Sequence, residues 1–310
     1  MATPKGAPRY IRPALFGLLL LLCWEYLISN DANVEAVNRG IERAIGWNPG
    51  LSAVSPIVLP RPSIILNQLL VTPNNGRGGP AYYWTHTSVT LASAGLGFVV
   101  GNLIAIATAT LFLYVTLLER GMMPIALIGR SIPLVAITPL LLRLRFGIAD
   151  LEAVERNVVL RSLFGTDFFM RMIIVIIIVY FPTLVNAARG FRSVEQSALE
   201  LFHTMRASRW QIYWKLRVPS ALPLIFAAFR VAASSAILAA VIAEWLSSHK
   251  GLGYVIFRAR AERSDARMWM AMVLACIIAI VGFYLVDLAQ KRFVPWFRST
   301  VDIRSAVGEG

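Results

Sequence analysis

The chain has 310 residues, of which 57% are hydrophobic and only 15% charged, and it carries 30 Lys and Arg against 17 Asp and Glu. That composition excludes both a disordered chain and an ordinary soluble domain. The formal charge of +13 is spread between apolar stretches with no basic face, as the basic loops of a membrane protein are, so a nucleic-acid role is not expected.

A helix needs about 20 apolar residues to cross some 30 Å of hydrocarbon. In chain order, residues 1–12 form a basic N-terminus with Lys5, Arg9 and Arg12, placed on the inner side. The first crossing covers 13–30, with Glu25 near its outer end; it has the basic start of a signal peptide, but no Ala-x-Ala site follows, so an uncleaved helix is expected. Residues 31–85 read as an external loop with short helices at most, marked by Pro60-Arg61-Pro62 and Asn74-Asn75-Gly76. Residues 86–290 hold five further crossings, at Thr87–Leu118, Met122–Phe146, Met172–Ala188, Leu222–Leu246 and Met268–Val286. The second of these five is broken by Arg130, Arg143 and Arg145 and bent by Pro124, Pro133 and Pro139. An insertion at 150–171 reads as a solvated surface helix, and 291–310 as a tail on the inner side. In lipid every backbone polar group is satisfied within its own segment, so the fold expected is an all-α membrane protein, a bundle of about six transmembrane helices. Inner segments carry 14 Lys and Arg and the longer outer ones 12, a weak bias for an inner N-terminus.

Ser93, Gly97, Gly101, Ala105 and Ala109 recur every fourth residue, as do Ala228, Ala232, Ala236 and Ala240. Each series forms a narrow strip of small side chains that lets helix backbones approach closely. The next step of four along the second strip is Glu244, which is therefore expected to face protein or a cavity. Ionisable groups inside a bilayer are costly, which makes Glu244 and Arg230 candidates for a translocation path and draws attention to Arg130. Asp287 and Lys291, one turn apart, read as an interfacial ion pair.

Chemistry of its own is not expected from this chain. Cys23 and Cys276 sit in apolar runs, and His86, His203 and His249 lack any zinc-ligand spacing, so no metal site is expected. No glycine precedes a lysine, which excludes the Gly-Lys-Ser/Thr phosphate cradle, and no cofactor is implied.

The segment 193–223 reads as helix, turn, helix. Ser193 with Gln196, and Ser208 with Gln211, are Ser-x-x-Gln capping boxes that predict helix starts at Val194 and Arg209, with Pro219 stopping the second. Val194, Ala198, Leu201, Phe202 and Met205 make one apolar face, and Trp210, Tyr213, Trp214 and Leu216 add bulky apolar area. So short a loop cannot bury all of this itself, and it is expected to pack partly on the bundle and partly on a partner, the alternative being an amphipathic element lying on anionic membrane lipid.

This segment resembles the EAA loop of binding-protein-dependent ABC transporter permeases: Glu-Ala-Ala, three residues, Gly, nine residues, Ile-x-Leu-Pro. Glu200, Leu201 and Phe202 take the first three places, Arg206 stands at the glycine, and Leu216, Val218 and Pro219 close the pattern. Ala207, Ser208, Arg209, Trp210 and Gln211, then Arg230, Ala243-Glu244 and Gly251-Leu252-Gly253-Tyr254, are similar to the nitrate, sulfonate and taurine uptake branch. So are Leu59-Pro60-Arg61-Pro62-Ser63 and Phe146-Gly147-Ile148, and the likeness runs over about 55–296. The resemblance implies an importer subunit of the inner membrane that lacks an ATPase site. It also implies two cytoplasmic ATP-binding subunits, an external solute-binding protein and a second copy of the chain as partners. Residues 200–211 would then form the cytoplasmic coupling loop. Arg206 departs from a glycine that permits a tight turn. The competing readings are an ion-coupled secondary carrier, which would need facing acidic groups in mid-membrane, and a membrane assembly protein without transport.

Overall fold

The computed structural model describes residues 19, 21–26, 60–70, 77–129, 136, 167–247 and 249–296. Among them the regular structure is helical, without a strand. The elements are α1 (Pro62–Leu70), α2 (Gly79–Tyr114), α3 (Thr116–Gly129), α4 (Asp167–Arg192), α5 (Gln196–Thr204), α6 (Arg209–Ile212), a π-helical turn (Tyr213–Arg217), α7 (Val218–Ser247), α8 (Leu252–Ala261) and α9 (Asp265–Phe293). Four stretches are long and apolar enough to cross a membrane: Gly79–Tyr114, Phe168–Arg192, Arg209–Leu246 and Asp265–Phe293. These match four of the six expected crossings. The crossing at 13–30 is described only at 19 and 21–26, where it is helical. Of the crossing at 122–146, the part from Arg130 onward lies outside the described residues save position 136, as do Arg143 and Arg145 and the insertion at 150–166.

Several boundaries move. α2 starts at Gly79, inside the expected 31–85 loop, because Tyr82, Tyr83 and Trp84 lower the apolar score without opposing a helix. Its other end comes at Tyr114, and Arg120, expected in a loop, is already inside α3. α4 is longer at both ends than predicted, so Arg171 and Arg189 sit within the helix and do not bracket it. Pro219 does not stop a helix. The Val218 N–H donates to the Tyr213 carbonyl, five residues back, and this widened turn leads straight into α7. A proline removes one donor and crowds the carbonyl four residues before it; a wide turn next to it relieves that crowding.

The chain forms two compact units, Met1–Thr85 with Val255–Met272, and His86–Tyr254 with Val273–Gly310. In the first, Pro62 takes the opening helical position of α1, where its missing N–H is no loss. Glu25 then caps that helix, its carboxylate accepting Ser63 N at 3.1 Å and Ser63 Oγ at 2.8 Å. In the same unit Glu262 gathers Arg77, Arg258 and Arg267 as ion-pair partners. Three guanidiniums, with the Arg258 hydrogen bond foremost, hold its carboxyl at about 2, below the ordinary 4.5.

The second unit is built on the small-residue strips. Ser93, Ala105 and Ala109 of α2 are fully buried, and Gly97 and Gly101 lie against α4 so closely that a Cβ on Gly97 would come within 2.6 Å of Val175 Cβ. On α7, Ala228, Ala232, Ala236 and Ala240 are buried as the four-residue period required, and the strip packs with Val175 and Val179 of α4. Lipid tails are as apolar as leucine, so what holds such helices is close van der Waals contact, and small side chains permit it. A second cluster, around Phe112, Leu184, Phe191 and Ile225, closes the end of the unit nearest the hairpin.

Candidate functional site

The hairpin after α4 begins where Ser193 turns its hydroxyl back to the Gly190 carbonyl at 2.8 Å. That use removes Ser193 from capping: α5 starts at Gln196, its N-cap Glu195 makes no side-chain cap bond, and the first predicted capping box does not form. The second forms as expected. Ser208 Oγ accepts Gln211 N at 3.3 Å and Gln211 Oε1 accepts Ser208 N at 2.8 Å, starting α6 at Arg209.

Between the two helices Arg206 sits at φ 54°, in the left-handed region. Its N–H donates to the His203 carbonyl at 2.9 Å and the Ala207 N–H to the Phe202 carbonyl at 3.0 Å. This is a Schellman ending, whose left-handed residue is normally glycine. Arginine thus adopts at 206 a left-handed turn for which glycine is the usual residue.

Part of the hairpin's apolar surface packs on the unit, as expected, and part is exposed. Ile212 and Tyr213 are buried on the unit, Tyr213 placing its hydroxyl 2.8 Å from Thr110 Oγ1 and its ring against Phe191. α5 buries none of its residues. Leu201 is 59% exposed and Trp210 66%, with Met205 and Trp214 also open. Glu200 is exposed and accepts a bond from Gln196 at 3.2 Å. Turn and caps thus fix the backbone, while Leu201, Met205, Trp210 and Trp214 stay exposed, the two tryptophans in ring contact with each other and with Tyr213. A cavity of about 340 Å³ lies beneath, between Leu113, Leu199, Ile212 and Tyr213, with Arg209 and Arg217 on its wall.

The two candidate path residues take different settings. Glu244 is fully buried, as its place on the strip required, and its Oε2 accepts Thr90 Oγ1 at 2.9 Å and Gly253 N at 3.1 Å. The neighbouring turn adds Leu252 N to Thr90 Oγ1 at 2.9 Å, Gly251 N to His86 Nδ1 at 3.1 Å, and Arg171 Nη1 to the Lys250 carbonyl at 3.1 Å. Nothing in the sequence pointed to Thr90 or His86 as partners, since 154 residues separate Thr90 from Glu244. Arg230 pairs with Asp287 at 3.0 Å, and Asp287 also holds Lys291, so the expected pair is a triad. Among the described residues no cluster of three or more His, Cys, Asp or Glu could hold a metal ion.

Long apolar helices and glycine-tight packing define a multi-pass membrane protein with a capped hairpin whose apolar side chains are exposed. The model of the family "binding-protein-dependent transport system inner membrane component" matches residues 97–299, and the chain belongs to that family. Among its relatives is the formylaminopyrimidine transport permease of Halalkalibacterium halodurans, 24% identical, with 94% of this chain and 98% of that one covered. The taurine transport permease of Escherichia coli is 24% identical over 89% of this chain and 94% of that one. A nitrate import permease of Synechocystis is also 24% identical, over 95% and 90%. The protein is thus an ABC transporter permease of the inner membrane, with nitrate and taurine permeases among its relatives.

Proposed function

We propose that the chain is the membrane-spanning subunit of an ATP-driven importer of a small anionic solute. It works as a homodimer with cytoplasmic ATP-binding subunits and an external solute-binding protein. The observation that carries this reading is the hairpin: a backbone fixed by the Arg206 turn and the Ser208–Gln211 box, carrying Leu201, Met205, Trp210 and Trp214 uncovered. A rigid apolar element without a lid suits a cleft in a moving partner, and Glu200 to Gln211 with Pro219 is the segment we assign to ATPase coupling. Closure of the nucleotide sandwich displaces the hairpin, and the packed helices switch between two access states.

For the solute path we assign Arg230 of α7, whose triad with Asp287 and Lys291 carries one net positive charge, and with it an anionic solute, in keeping with relatives named for nitrate import. Glu244, sealed on all sides, acts on the path through the turn it holds. The test is uptake and ATP hydrolysis by the assembled transporter in proteoliposomes. Glu200→Lys and Ala207→Trp are expected to insert and assemble normally while hydrolysis no longer drives uptake. Undiminished uptake in both variants would falsify the coupling assignment.

A further inference from the structure

The cavity beneath the hairpin adjoins a second one of about 290 Å³, and Leu113, Leu199 and Arg217 line both. Among the described residues no aspartate or glutamate lines either cavity, whereas Arg209 lines the first and Arg192 the second. Arg192 is neutralised by Glu119. Arg217 makes no ion pair among the described residues, its guanidinium donating to the neutral Phe191 carbonyl at 3.2 Å. Arg209 makes no ion pair among the described residues. Two guanidiniums without an ion pair among the described residues therefore share a cavity of about 340 Å³ whose remaining wall includes Leu113, Leu199 and Ile212.

Such a wall suits an anion that carries a greasy attachment. Guanidinium bonds to phosphate are charge-assisted and strong, and basic pockets on the cytoplasmic side of membrane helices take anionic headgroups. We propose that this pocket binds the phosphodiester of an anionic phospholipid of the inner leaflet, with Arg209 and Arg217 as its two cationic contacts. The inference rests on the reading that the hairpin faces the cytoplasm; it does not require an ATPase partner.

The experiment uses the full chain in detergent micelles, with retention of phosphatidylglycerol and of phosphatidylcholine measured by native mass spectrometry. Phosphatidylglycerol is expected to bind about tenfold or more tightly than phosphatidylcholine, a margin that one or two charge-assisted contacts supply. Phosphatidylcholine has the same phosphodiester but a choline cation beside it, so the double variant Arg209→Gln with Arg217→Gln should abolish that margin, lowering phosphatidylglycerol retention more than phosphatidylcholine retention. Arg260→Gln, which removes one charge at an exposed position on α8, should leave it intact. Leu199→Trp, which fills the cavity and keeps both arginines, should weaken retention by a similar factor. Equal binding of the two lipids, or equal loss in Arg260→Gln, overturns the proposal. Full displacement by inorganic phosphate would also overturn it, by identifying a soluble phosphate ligand. Because no nucleotide or uptake is involved, failure here leaves the coupling assignment standing, and failure of coupling leaves the lipid result readable.

Discussion

Glu244 accepts the backbone N–H of Gly253 at 3.1 Å across the turn that joins α7 to α8, and the two residues are packed so tightly that Gly253 has no space for a side chain. A Cβ there would lie 2.0 Å from the Val241 carbonyl and 2.9 Å from Glu244 Cβ. At Gly251 the backbone is left-handed, φ +112°, and a Cβ would fall 2.1 Å from the Glu244 carboxyl carbon. Close approach, rather than flexibility, requires glycine at both places.

Gly253→Ala should therefore lower stability by more than about 3 kcal/mol, since backbone cannot yield as a side-chain tip does. Gly95→Ala and Gly121→Ala, where a new methyl meets nothing within 4 Å, should be neutral or slightly stabilising. Thermal unfolding of the purified chain in detergent separates the two classes; equal midpoints would refute the packing account.

Removing the carboxylate tests the same turn from its other side. In Glu244→Leu, Thr90 Oγ1 and Gly253 N lose their shared acceptor while remaining buried, a cost of about 2–4 kcal/mol. Glu244→Gln keeps one carbonyl oxygen and should recover most of it. Proteolysis within 248–253 reports the opening directly, and a Leu variant as resistant as the wild type would show that the turn holds itself.

Arg206 occupies a conformation that favours glycine, so Arg206→Gly is expected to stabilise the hairpin by about 1 kcal/mol and Arg206→Val to destabilise it by at least as much. Hydrogen exchange at Ala207 and Ser208 measures this locally. Faster exchange in the glycine variant would contradict the turn assignment.

Acid should act on Glu262 in a definite direction. Its folded carboxyl is held at about 2 by Arg258, Arg267 and Arg77, against an ordinary 4.5. A depressed carboxyl contributes stability that is complete above about 4.5 and is lost as pH falls toward 2. The wild type should exceed Glu262→Gln in thermal midpoint near neutrality and converge with it on acidification. A gap that stays constant across that window would disprove the linkage.

Sequence reading succeeded where the determinant is local or strictly periodic. The Ser208–Gln211 box closes within three residues, and the four-residue strip that buries Ala240 also delivered Glu244 to the interior. Ser193 failed as a cap although its spacing was identical, because the end of α4 offered the Gly190 carbonyl first. Pro219 failed as a stop because a wide turn absorbed it, a choice no residue pattern records. The partners of Glu244 and the third member of the Arg230, Asp287 and Lys291 group depend on helices far apart in the chain, beyond the reach of spacing arguments.

From Arg209 to Leu246 the chain runs for 38 residues without a linker, and its hydrogen-bond pattern changes at 213–217. Torque applied at Trp210 is therefore not dissipated in slack before it arrives at the far end. A rod loaded at one tip and clamped at the other yields first where its coil is loosest. Under the coupling proposed above, residues 213–217, the widest turn of the shaft, are where such a load would be felt first.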